Sequence, residues 1–120
     1  MTNEMMYKTF KMVSGCVEQW AMREGYKVTN IGRLYTCSAS LYKVENGYKT
    51  YYVLKSYNTV IATWDVNEGI VIDALRAVYG YTNTSAQHIS KFQKLIKEQF
   101  GTTPAVYRVG EIWNDIKRIK

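Results

Sequence analysis

Proline is nearly missing from this 120-residue chain, where Pro104 is the only one. Without Pro/Gly/Ser-rich tracts or repeats nothing divides the sequence, and a single domain over residues 1–120 is expected. Thiols are scarce as well. Cys16 and Cys37 are the only cysteines, with no CxxC and no Cys/His cluster. That excludes a zinc site assembled from soft ligands, so no metal and no cofactor is expected. Two isolated cysteines fit a reducing compartment, where they pack as small apolar residues. No glycine-rich loop ends in GK[ST], which excludes a Walker-type phosphate site. No apolar run approaches transmembrane length, and the opening MTNEMMYK reads as a cytosolic N-terminus without a cleavable signal. A cytoplasmic location without a membrane partner is the expectation.

Tyrosine is what the sequence has in excess: eleven, against three Phe and three Trp. Its ring packs while its hydroxyl reaches water, which suits half-buried strand faces and also binding patches. Net charge is +6, from 16 Lys+Arg against 10 Asp+Glu. That balance favours encounters with anionic partners, and it also serves solubility alone.

Periodicity supplies the elements. Met6, Phe10, Val13, Val17 and Trp20 form one helical stripe, so a helix is expected over about residues 4–24, closed by Gly25. In RLYTCSASLYKV, alternation places Tyr35, Cys37, Ala39 and Leu41 on one strand face. Asn46-Gly47 signals a two-residue hairpin turn, which would set Leu41 opposite Tyr52 and Tyr42 opposite Tyr51. Past a turn at Tyr57-Asn58, TVIATWDV reads as a strand with Val60, Ala62, Trp64 and Val66 on one face. Ile70–Ile72 reads as strand, and ALRAV fits either its continuation or a helical turn; a strand reaching to about Val78 is the expectation. Thr84-Ser85-Ala86-Gln87 fits a capping box, and Ile89, Phe92, Ile96 and Phe100 carry the next helix to Gly101. AVYRV is a short strand candidate, and Ile112, Trp113, Ile116 and Ile119 line a C-terminal helix. The expected fold is α+β: an N-terminal helix, an antiparallel meander of three to four strands, then helix, short strand and C-terminal helix, with helices on one face of the sheet.

Catalytic constellations are thin. His88 falls at the border of an apolar stripe, where a histidine packs and bonds to a nearby backbone or Thr group. Asp65 and Asp73 flank a strand turn without a DxD or ExxE pattern. No catalytic residue is assigned, and an enzyme using His88 is the remote alternative. Anion binding has more support. Thr82, Thr84 and Ser85 precede or open a helix, whose first amides lack partners. Lys91, Lys94 and Lys97 follow at three-residue steps, spread over about 120° of the outer face. Arg76 lies before the loop, and Tyr42, Tyr51 and Tyr57 offer rings for stacking on unpaired bases. A solvated lysine face and ordinary capping account for the same residues without a ligand.

YVLKSYNTVIA followed by VYGYTNTSAQHISKF, roughly residues 52–92, is similar to a family of small uncharacterised proteins of phages, plasmids and integrated elements. In that family an LKSY-type strand precedes a YGYTxTSxQHIxKF helix start. The resemblance implies a mobile-element accessory protein in a bacterial host cytoplasm and carries no catalytic site. Proteins of this kind often occupy a surface of a host complex, as anti-CRISPR and other anti-defence inhibitors do. The expectation is therefore a non-enzymatic binding module that engages nucleic acid or a host nucleoprotein complex. Its contact residues are expected to be Lys91, Lys94, Lys97, Arg76, Tyr57, Thr84 and Ser85. The alternative is a protein-only interaction or assembly module, such as a homodimer formed through a sheet edge or terminal helix.

Overall fold

The structure is a computed structural model that describes residues 3–18, 25–34, 38–57, 59–75 and 83–108. The first helix, α1, spans Asn3–Glu18. Its stripe residues Met6, Phe10, Val13 and Val17 are all buried. Residues 19–24, including Trp20, lie outside the described residues, while Gly25 does take the left-handed φ of 77°. Five strands follow: β1 (Lys27–Arg33), β2 (Ala39–Glu45), β3 (Thr50–Ser56), β4 (Thr59–Asp65) and β5 (Ile70–Asp73). The second helix, α2, runs Asn83–Phe100, and β6 (Ala105–Arg108) completes the described elements.

All six strands form one sheet in chain order, β1-β2-β3-β4-β5-β6. The first five pair antiparallel, as a meander. β6 instead pairs parallel with β5, because α2 carries the chain back to the starting end of β5 before β6 begins. The class is α+β, as expected, with more strands than the sequence pattern suggests. β1 is the added one. It is an edge strand with only Val28 and Ile31 as large apolar side chains, so it carries no apolar alternation.

The helices do not share a face, which corrects the expectation. α1 packs with Tyr42, Val44, Tyr51, Val53, Val60 and Ile72 on one side of the sheet. Ile89, Phe92, Leu95 and Ile96 of α2 pack with Leu41, Leu54, Ile61, Ala62, Trp64 and Val71 on the other. The reason lies in the strands: β3 and β4 are apolar on both faces, and each large side chain left wet would forfeit roughly 2 kcal/mol. Tyr42 and Tyr51 are therefore core residues under α1 and do not form an exposed stacking surface.

Three local details depart from the sequence pattern. The β2–β3 loop has four residues, not two, so Leu41 pairs with Leu54 and Val44 with Tyr51. Asn46 causes this: its Oδ1 accepts the amides of Tyr48 and Lys49 at 3.0 and 2.9 Å, folding the loop around the side chain. A shift of two residues keeps every side chain on its face. In β4, Leu54 pairs with Ala62 but Lys55 with Val60, so Ile61 is an extra residue. This bulge turns Val60 toward α1 while Ile61, Ala62 and Trp64 face α2, and Val66 lies beyond the strand. β5 ends at Asp73 rather than near Val78, where the Asp73 carboxylate accepts the Leu75 amide at 3.2 Å and closes a turn.

Candidate functional site

β3 and β4 join through only two residues, Tyr57 and Asn58, since Ser56 pairs with Thr59. Two-residue hairpin turns need a positive φ at their first position, a place that favours Gly or Asn. Here it is held by Tyr57 at φ 55°, the only non-glycine with positive φ among the described residues. The Tyr57 amide donates to the Ser38 carbonyl at 3.1 Å, which pins the turn to the start of β2.

Beneath this turn sits His88, in the second turn of α2 and only 2% exposed. Its Nδ1 shares a 2.7 Å hydrogen bond with the fully buried Ser56 hydroxyl. The partner expected from sequence, a backbone or Thr group near the helix, is replaced by a serine on the sheet. His88 precedes Phe92 by one turn on the same helical face, so its ring must point at the strands. Burial, and then the Lys91 charge, push the imidazole below its ordinary value of 6.5. The Tyr57 ring lies beside it in a tilted contact, with centroids 6.0 Å apart and planes inclined by 52°. Tyr57 remains 53% exposed.

From this head the lysines descend along α2. Lys91 is half-buried, and Lys94 and Lys97 are exposed. Lys94 reaches Glu98 at 3.7 Å, an exposed pair of little energetic weight. Glu98 is the only acidic residue on the helix. Of the residues expected from sequence, Tyr57 packs against His88 of α2, while Lys91, Lys94 and Lys97 follow on the same helix, turning progressively away from that side. Thr84 and Ser85 lie in the first turn of α2 by their backbone, and their side chains are outside the described part. Because Asn83 is already helical, Thr84 is not the N-cap; a cap must still have non-helical backbone. Arg76 and the C-terminal residues 109–120 are outside the described residues.

Ser56 is the site residue that sequence reasoning missed. A serine closing a strand carries no local signal, and only its contact with a helix 32 residues away gives it a role. Asp65 and Asp73 do not form a carboxylate pair: Asp65 is buried at the β4–β5 turn, where it accepts the Glu68 amide. Asp73 stands at the far end of that ladder, 3.8 Å from Arg108. At the other end of α2, Phe100 meets Tyr52 and Trp64 with ring centroids 5.1 and 5.0 Å away.

The chain matches no protein-family model, no curated protein and no solved structure.

Proposed function

We propose that this chain is a non-enzymatic binding module that contacts nucleic acid, bare or within a nucleoprotein complex, through the outer face of α2 and the Tyr57 turn. The observation that carries the reading is the row Lys91, Lys94 and Lys97, opposed on its own helix by Glu98 alone and headed by a half-exposed tyrosine. The chain's +6 charge adds a long-range bias toward anionic partners. The resemblance to mobile-element accessory proteins supplies the context, a host defence complex being the nucleoprotein target in view.

A gel-shift series with single- and double-stranded DNA and RNA tests it. Binding at low salt that weakens steeply with added salt, and that is weaker and less salt-dependent in a variant with all three lysines changed to Gln, is expected. Absence of binding at low salt removes direct nucleic-acid contact.

A second reading, a protein-only assembly module, draws on β6. This edge strand is exposed at all four residues, Val106 and Tyr107 among them. Exposed edges invite strand addition by another chain. Sedimentation velocity separates a monomer from a homodimer.

A further inference from the structure

Tyr57 is an unusual choice for its position. Asn or Gly would adopt φ 55° at less cost, and a bulky residue held there stores strain of about 1–3 kcal/mol. Burial does not offset that strain, because 53% of the residue stays exposed. What the position does provide is a fixed ring. The backbone is tied to Ser38, and the ring rests on an imidazole that Ser56 holds in place. Lys91 stands one helical turn beyond that imidazole, and Lys94 and Lys97 continue at rises of about 4.5 Å each. A half-exposed aromatic ring beside a cationic helix face is a combination that binds single-stranded nucleic acid. The ring takes an unpaired base while the lysines follow the backbone. A duplex hides its base faces and cannot use the ring.

We propose that Tyr57 is a stacking platform for an unpaired base, and that the substrate class of the α2 surface is single-stranded DNA or RNA. The inference rests on the reading of the lysine row as a nucleic-acid contact. The ring need not ionise and its hydroxyl need not bond, so phenylalanine should replace it.

The test is fluorescence anisotropy at low salt, with labelled single-stranded oligonucleotides and duplexes of the same sequences. Proteins compared are the wild type, Tyr57→Phe, Tyr57→Asn, Tyr57→Gly and a triple variant with Lys91, Lys94 and Lys97 changed to Gln. Asn and Gly both tolerate the left-handed backbone, and thermal melting verifies that each variant folds. Expected are tighter binding of single strands than of duplexes and near-wild-type binding by Tyr57→Phe. A loss of about 5- to 150-fold on single strands alone is expected for Tyr57→Asn and Tyr57→Gly. Equal affinity for both forms, with Tyr57→Asn unchanged and the lysine variant weakened, overturns the stacking platform and leaves the lysine surface standing. An equal loss on single strands and duplexes in Tyr57→Asn also overturns it, since the ring would then touch backbone common to both. No binding of any oligonucleotide overturns the lysine reading and the inference with it.

Discussion

Ser56 and His88, 32 residues apart in the chain, share a buried hydrogen bond of 2.7 Å that fastens the end of β3 to the second turn of α2. The bond satisfies a ring nitrogen of His88 that the apolar layer under α2 would otherwise leave stranded, at a cost of about 1–3 kcal/mol. It also holds the imidazole against the ring of Tyr57.

This pairing makes stability depend on pH in one direction. The folded state keeps His88 neutral below its ordinary value of 6.5, by burial and by the Lys91 charge. An unfolded chain takes up the proton as pH falls through 6.5, while the folded chain does not. Stability should therefore be full above that value, fall as pH drops below it, and level off once pH passes the lowered folded value. His88 is the only histidine, so melting temperatures of wild type and His88→Gln across mildly acidic pH isolate its share. Equal slopes in the two proteins would contradict the account.

The two sides of the sheet should behave as separate cores. Ile72 packs on the α1 side and Ile96 on the α2 side. Ile72→Val and Ile96→Val should each cost about 0.5–1.5 kcal/mol in urea unfolding, and the double variant should give their sum within about 0.5 kcal/mol. Phe92→Ala, which opens a cavity at a fully buried site, should cost about 3–5 kcal/mol.

Asn67 stitches two loops together. Its Oδ1 accepts the Thr50 amide at 3.0 Å and its Nδ2 donates to the Tyr48 carbonyl at 3.2 Å. Asn67→Ala should lower stability by about 1 kcal/mol, since both bonds are exposed to competing water. Hydrogen exchange should find the Thr50 amide losing protection while amides of the β4–β5 ladder keep theirs.

Salt dependence of nucleic-acid binding counts the phosphates engaged. If Lys91, Lys94 and Lys97 each neutralise one, single-strand affinity should fall about 20-fold between 50 and 200 mM salt through these lysines alone. Changing all three to Gln should flatten the log–log slope by about 2. An unchanged slope would place the contacts elsewhere on the protein.

Much of this arrangement is legible in the chain. The stripes Met6, Phe10, Val13, Val17 and Ile89, Phe92, Ile96 mark two helices and are buried as indicated, whereas Phe100, expected to continue the second stripe, is 43% exposed. Gly101 ends α2 at the expected place, at φ 68° with its amide donating to the Lys97 carbonyl. Turn residues at Asn46-Gly47 and Tyr57-Asn58 mark two hairpins. These features depend on residues a few positions apart, so local spacing and backbone preference suffice to determine them. Other features needed the assembled sheet. Loop length between β2 and β3 depends on where the Asn46 carboxamide finds its amides. The face taken by Val60 depends on a bulge at Ile61. Opposite placement of the helices follows from burying both sides of β3 and β4, and local spacing alone does not say which side each helix takes. Ser56 and the strained Tyr57 acquire their roles only when α2 lies down on β3. Contacts between residues distant in sequence are chosen by which packing buries the most apolar surface while pairing nearly all buried polar groups, and that choice belongs to the whole fold.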